Sequence, residues 1–534
     1  MMHQLLKIED TILANNTHQS ITEISDFILQ HHQDSNAIAQ ICDIIVTFLQ
    51  NQNQNQNNID LNPTFPTFST NLIQHLCTAS QQFAANPVTI ERIFTALGSI
   101  LETPLQIESL EISILLCIKV ASKAIISSEH TTSTTVVQAI GSCLDEATAA
   151  LLHTTSISHD SCMVYLMQSL NSISNTNDTN DTNNTNHTNH TNNQNSSIHY
   201  LFTAVGNILA SMDDPEETNA LATRTIDKGL IERAYQWSTD SIHNSMLQAS
   251  VWHAFEQLST SNVGREALHA SDLNIITLAC TTLLQYNIQS TNEDHLNIVS
   301  SIYMTLSNLS IENSQLAFKL LNSHDQILKQ LLTTMETAPT NTVLVVSGCK
   351  LLWNCFVSFQ QKEQEQEQEQ EQVIVRLGLI GWNTLLHILN RNRNQNQDRS
   401  DVQHASLNAL RAVLLCPFVL EKITNVQITK GRKQLIQLIT DMDVGMDVSN
   451  NQEAQLATID QEMRVQLIEI VLLCLVKLKT VMSSNDSKDT VDRLKNATIL
   501  VTLIEFQTDL KLLWNDLIEE RVVEEEELAS CVVS

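Results

Sequence analysis

The sequence predicts an all-helical protein built by stacking short helical units, on three observations. Turn-formers are scarce, apolar residues recur at helical spacing, and a short intrahelical landmark returns at a near-constant period. The chain has 534 residues with only 10 glycines and 7 prolines. That is about 3% of the chain where roughly 12% is ordinary. Sandwiches, barrels and wound α/β sheets need a turn every ten or so residues, so the length must be spent in helices. Hydrophobic residues make up 42% and aromatics 4%. The core is therefore aliphatic.

Helical periodicity begins early. In the window Ser35 to Leu49, Asp34 or Ser35 can cap the start, and Ile38, Ile41, Ile45 and Phe48 then share one face. Similar windows continue to the C-terminus. Within them recurs an apolar residue, a small residue and then Asn or Ser: Leu97-Gly98-Ser99, Ile140-Gly141-Ser142, Val205-Gly206-Asn207 and Leu306-Ser307-Asn308. Leu352-Trp353-Asn354 is looser, and Phe255-Glu256-Gln257 and Leu410-Arg411-Ala412 fit more weakly. Ser99 and Ser142 are 43 residues apart, and Asn308 and Asn354 are 46 apart. Two longer intervals return to the forties when a 23-residue Asn/Thr stretch and a 12-residue Gln/Glu run are excised. Such a period, with about three helices per unit, predicts an armadillo/HEAT-type right-handed superhelical solenoid. One unit cannot bury its own apolar face, so the units are expected to form one continuous stack.

Four low-complexity stretches interrupt it: Asn51 to Asn58, Asn175 to Ser197, Gln361 to Gln372 and Arg391 to Gln397. They lack apolar content to offset the entropy of ordering and read as disordered insertions. The expected organisation is N-terminal repeats over 1–174, the Asn/Thr insert over 175–197 and central repeats over 198–360. The Gln/Glu insert over 361–372, C-terminal repeats over 373–520 and an acidic tail over 521–534 follow. His187 and His190 belong to the composition of their insert rather than to a metal site.

The small residue lets a neighbouring helix approach. The polar residue after it either lines a groove, where Asn can hydrogen-bond an extended segment, or links neighbouring units and faces solvent. The groove reading takes Asn207, Asn308 and Asn354 as contacts, with Lys350, Gln403 and Asn408 near the same face.

The net charge of −30 disfavours nucleic acid and anionic membrane and favours basic partners. Eleven cysteines are scattered with no CxxC pair, which reads as reduced, buried thiols in a cytoplasmic protein. Nuclear or peripheral-membrane residence are the alternatives. Met1 to Asp10 has no apolar leader core. The strongest apolar run, Leu467 to Leu478, contains Glu469 and Lys477 and reads as a core helix. Cys531-Val532-Val533-Ser534 fits a C-a-a-X box. This makes Cys531 a lipidation candidate, although its acidic flank Glu524 to Glu527 opposes membrane attachment, and membrane contact is expected only if it is prenylated. No phosphate loop, metal-helix motif or nucleophile elbow occurs. No cofactor, metal or catalytic residue is expected, and the chain is not read as an enzyme.

Val402-Gln403-His404-Ala405-Ser406-Leu407-Asn408-Ala409-Leu410-Arg411 resembles a third-helix segment of the small-GTPase GDP-dissociation stimulator family, an armadillo-repeat family. Gly348 followed by Asn354, Ala96-Leu97-Gly98-Ser99-Ile100, Ala204-Val205-Gly206-Asn207-Ile208-Leu209-Ala210 and Ile41-Cys42-Asp43-Ile44-Ile45 are similar to its other repeats, in the same order. Ser99 and Ala412 stand where that family has Asn. The resemblance implies a non-catalytic regulator with an acidic groove. It would bind Rho- or Ras-type GTPases with polybasic, prenylated tails, as a chaperone or exchange stimulator, with Asn207 and Asn354 as groove contacts. Exchange would need only tighter binding to the nucleotide-free GTPase. The alternatives are a general armadillo scaffold with no effect on nucleotide state, and a carrier of basic peptides.

Overall fold

The computed structural model describes residues 4, 5, 7, 8, 17–56, 70–102, 110–126, 133–151, 159–177, 187–271, 273–286, 292–311, 313, 315–317, 320, 325–338, 341–360, 368–392, 400–444, 454–482, 484–495 and 508–518. Among them there are helices and turns and no strand. Two compact units divide the chain: Met1–Tyr286 with Asn292–Thr305, and Asn287–Thr291 with Leu306–Ser534.

The first unit begins with four helix pairs. These are α1 (Thr17–Gln30) and α2 (Ser35–Gln56), α3 (Thr70–Gln82) and α4 (Pro87–Glu102), α5 (Leu110–Ala124) and α6 (Thr134–Leu151), and α7 (His159–Asn177) and α8 (His187–Ala210). Triplets follow: α9 (Pro215–Asp227), α10 (Leu230–Asp240) and α11 (Ser245–Thr260), then α12 (Asn262–Ala270), α13 (Ile275–Gln285) and α14 (Glu293–Ser310), whose residues from Leu306 on are counted with the second unit. Three helices per unit thus holds only from α9 onward in this unit. Gly229 makes the first triplet possible: at φ 82° it turns the chain between α9 and α10, a left-handed conformation that glycine adopts without steric cost. Helices α2, α4, α6, α8 and α11 pack side by side in one layer, with α1, α3, α5, α7 and α9 behind them.

The second unit repeats the plan with α15 (Asp325–Thr337), α16 (Thr342–Gln360), α17 (Gln368–Asn392), α18 (Ser400–Leu415), α19 (Pro417–Lys422), α20 (Asn425–Val444), α21 (Ala454–Lys479), α22 (Ser484–Leu494) and α23 (Thr508–Ile518). Its first layer is α16, α18, α21 and α23, and its second is α15, α17, α20 and α22. One described stretch, Glu371–Arg391, is long and apolar enough to cross a membrane by length and composition, and 56% of its window is buried. It forms part of α17, which packs against α15 and α18.

Caps start the helices. Asp34 accepts from the Ala37 amide at 3.1 Å, and Asn86, Asn244 and Asn341 accept from Thr89, Leu247 and Leu344 at 3.2, 3.1 and 2.9 Å. Each satisfies a backbone donor that the first turn leaves open.

Side-chain bonds between stacked helices record the period directly. Thr135 donates to Glu91 across 44 positions, Thr203 meets Ser250 across 47, and Thr384 donates to Glu336 across 48. The pairs Asn207–Thr148 and Cys349–Ser406 span 59 and 57 positions, and these intervals contain the Asn/Thr and Gln/Glu insertions. The insertions are not wholly loops. Helix α8 begins at His187 and α17 at Gln368, each inside a low-complexity stretch, and α2 runs on to Gln56. Residues 178–186, 361–367 and 393–397 lie outside the described set.

Candidate protein-interaction faces

In each unit the first-layer helices are backed by the second layer and flanked by one another. Their half-buried and exposed side chains therefore mark the open face of that layer. Close stacking of these helices depends on small residues. A β-carbon at Gly141 would stand 2.2 Å from the Tyr200 ring, and one at Gly206 would stand 2.3 Å from the His253 ring. Gly98 is less constrained, with its nearest neighbour, the Cys143 α-carbon, at 3.6 Å.

The Asn residues sit at these seams. Asn207, half-buried on α8, donates to Thr148 Oγ1 of α6 at 3.2 Å, and its Oδ1 lies 3.3 Å from His253 Nε2 of α11. Burial lowers the His253 pKa below its ordinary value, which favours the neutral ring that donates one hydrogen bond. Asn354, half-buried on α16, donates to the Ser307 carbonyl and hydroxyl of α14 at 3.0 and 2.9 Å. Both amides link neighbouring repeats within one compact unit. Asn308 is half-buried on α14, beside the Ser307 that Asn354 binds. Lys350 is exposed one turn before Asn354, and Gln403 is half-buried on α18. Asn408 is 5% exposed, with its amide 3.3 Å from the His404 ring. The Cys349–Ser406 contact places α16 beside α18. Asn207 belongs to the first unit and the other five to the second. Cys531 lies outside the described residues.

Charge divides differently from the net total. On the first unit's face, Glu102 is exposed at the end of α4, and Asp145 and Glu146 are part-buried on α6. Burial, and then the Glu146 charge, raises the Asp145 carboxyl to about 7, and its shielded Oδ1 has no hydrogen-bond partner. Burial and then Glu102 raise Glu146. Burial and then Asp145 raise Tyr200 on α8. Among the described residues no ion pair balances these carboxylates, which raise one another's pKa. By contrast Arg92 of α4 is paired with Asp43 of α2. In the second unit's first layer, Lys350 is exposed on α16, and Arg411 and Lys477 are half-buried on α18 and α21. Spacing in sequence gives no hint that one layer gathers these three cations. The Asn caps, by contrast, are readable as Asn before a new apolar period.

All ten described cysteines are free, and nine are buried. Burial pushes Cys349, Cys355 and Cys474 up to about 12, which leaves them as thiols. Among the described residues no group of three or more His, Cys, Asp or Glu side chains could hold a metal ion.

No family model matches the chain, and no curated protein matches it. Solved structures do. The crystal structure of SYS-1 matches with a TM-score of 0.52 at 13% identity, over 97% of this chain and 90% of that one. The complex of SYS-1 with POP-1 matches with a TM-score of 0.53 at 14% identity over the same shares. At such identity the likeness is one of fold, and the fold of this chain is the armadillo-repeat solenoid.

Proposed function

We propose that this chain is a non-catalytic protein-binding adaptor. The first unit's face over α4, α6 and α8 takes a lysine- or arginine-rich segment of a partner protein. The observation that carries this reading is the uncompensated set Glu102, Asp145 and Glu146, whose mutual repulsion a bound cation would relieve. A face of one sign also steers an oppositely charged partner and makes association salt-dependent. Polar side chains along that face, Thr203 and Asn207 among them, are placed to meet an extended backbone. Asn207 would do so with whatever bonding capacity its seam contacts leave.

The specific partners we propose are small GTPases of the Rho or Ras type with polybasic, prenylated tails, in keeping with the resemblance of Val402–Arg411 and the other repeats. The chain would act on them in the cytoplasm as chaperone or exchange stimulator. Asn308, Asn354, Lys350, Gln403 and Asn408 would be secondary contacts on the second unit, and Cys531 a prenylation site. The second reading is a scaffold that binds basic segments without changing nucleotide state. It is favoured by the hydrogen bonds of Asn207 and Asn354 between successive repeats, which give these amides a structural role.

The test is a pull-down of a prenylated Rho-type GTPase, with release of fluorescent GDP followed in parallel. Wild type should bind, and Glu102→Lys with Glu146→Lys should abolish binding. Retention without accelerated release supports the scaffold. Equal capture by both proteins, or none by either, removes the proposal.

A further inference from the structure

We propose that the open side of α16 is the docking site of an amphipathic helix from a partner protein, one that lays apolar side chains along α16 and sets a carboxylate opposite Lys350. Among the described side chains of α16, Val343, Val346, Lys350, Trp353 and Val357 are exposed or half-buried beside Asn354, and all others but Thr342 at its start are buried. These five follow one another at steps of 3, 4, 3 and 4 positions, which puts them on one face of the helix. Val343 is 63% exposed. Val88 apart, the matching faces of α4 and α6 are polar by comparison, with Thr95, Ser99 and Glu102 on one and Ser142 and Glu146 on the other. Trp353 also takes the place that Gly98, Gly141, Gly206 and Ser307 hold in the recurring landmark. Those small residues are buried, whereas Trp353 stays partly open, and tryptophan is enriched where one protein is buried against another. A helix apolar on every side is ordinarily enclosed. Thr342–Ser358 is such a helix, but it falls among those too short to cross a membrane. Its open side is left for another protein to cover.

Geometry and charge select the occupant. The stripe from Val343 to Val357 runs 14 positions along α16, about 21 Å. Packed helices stand about 8–10 Å apart, so an extended segment crossing the layer would meet α16 at one place only. A helix running along α16 meets the whole stripe, with its own apolar residues at every third or fourth position. Lys350 is the only charged residue of α16, and it stands at the middle of the stripe. On α18, Asp401 and Arg411 lie five positions to either side of the Ser406 that touches Cys349, and they offset one another. The local sign is positive, which asks for one acid in the middle of the partner's apolar face. The same placement disfavours a second copy of this chain. Two α16 helices paired antiparallel about a two-fold axis would bring Lys350 against Lys350. The site stands on the second unit and does not depend on the acidic face over α4, α6 and α8.

The test uses the full chain and a fluorescent helical peptide of alanine and glutamine, with four leucines on one face and a single glutamate at the centre of that face. The peptide should bind wild type, and a version with lysine in place of the glutamate should bind at least about tenfold more weakly. Lys350→Glu should reverse that preference. Val343→Asp, at an exposed position, should weaken the glutamate peptide by at least about tenfold, with the helical circular dichroism of both variants unchanged. Glu102→Lys with Glu146→Lys should leave the peptide bound as in wild type, which separates this site from the first unit's face. Tryptophan emission should shift to the blue on binding, and Trp353→Phe should lose most of that shift. Equal binding of the two peptides, a preference unchanged in Lys350→Glu, or no binding by wild type overturns the proposal. So does a dimer in sedimentation that Val343→Asp dissolves, which would assign the stripe to a second copy. Capture by phosphatidylcholine–phosphatidylserine vesicles that the same change abolishes would give the stripe to a membrane, and overturns it equally.

Discussion

Asn354 reaches back from α16 to hold Ser307 of α14 twice, at the carbonyl (3.0 Å) and at the hydroxyl (2.9 Å). A single amide thus fixes the register of two stacked helices, 47 positions apart. Asn354→Ala removes both bonds and should lower stability by about 1–2 kcal/mol. Ser307→Ala, which keeps the carbonyl acceptor, should cost less than half of that. Chemical denaturation of both variants checks the ordering. Equal losses would mean that the carbonyl bond contributes nothing.

The glycine seams make a second prediction. Gly141→Ala would drive a methyl group into the Tyr200 ring, 2.2 Å from its nearest carbon. Gly98→Ala meets nothing closer than 3.6 Å. Overpacking costs about 1–3 kcal/mol, so Gly141→Ala should be clearly destabilised and Gly98→Ala nearly neutral. Adding Tyr200→Ala to Gly141→Ala should cost less than the sum of the two single changes, because the contact is shared. Additive losses in a double-mutant cycle would show that Tyr200 yields freely.

These particulars show what the sequence could and could not reveal. The solenoid was legible because scarcity of glycine and proline is a property of the whole chain. Its period was legible because the insertions are compositionally distinct from the helices: the longer Asn207–Thr148 and Cys349–Ser406 separations are those that contain them. Helix number per repeat was not legible, since a pair and a triplet can share a period; in the first triplet the difference rests on the turn at Gly229. Full disorder of the low-complexity stretches was overstated, because Gln and Glu have good helix propensity and continue the helix that begins at Gln368. The bonding of Asn207 and Asn354 depends on the neighbouring unit, which a repeat pattern does not specify. Net charge is a sum and cannot place Asp145 on one unit and Lys477 on another.

Asp145 carries a pH signature. Its carboxyl is raised from about 3.9 to about 7, so between those values the folded state holds a proton that the unfolded state releases. The folded state is then favoured at low pH and loses that advantage as pH rises through the window. Glu146 on the same helix and Tyr200 of α8 act in the same sense. Asp145→Asn should therefore melt above wild type at pH 8, by about 3 °C. The gap should narrow steadily toward pH 4.5. A gap independent of pH would mean that the carboxylate is solvated.

Arg432 shows what a compensated charge looks like in this fold. Its guanidinium is 6% exposed and bridges from α20 to α22, meeting Asp486 at 3.0 Å, Asp489 at 3.1 Å and the Asp486 carbonyl at 2.5 Å. The fork needs several donors in fixed directions, which lysine cannot supply. Removing one partner of a buried pair costs about 3–5 kcal/mol when the other stays dry. Here both aspartates are nearly half exposed, so water takes up part of their loss. Arg432→Ala should cost about 2 kcal/mol, and Arg432→Lys more than half of that. Hydrogen exchange should place the loosening in α20 and α22 and leave α1 to α8 unchanged, since those helices belong to the first unit. Protection lost evenly across the whole chain would mean that the two units unfold as one.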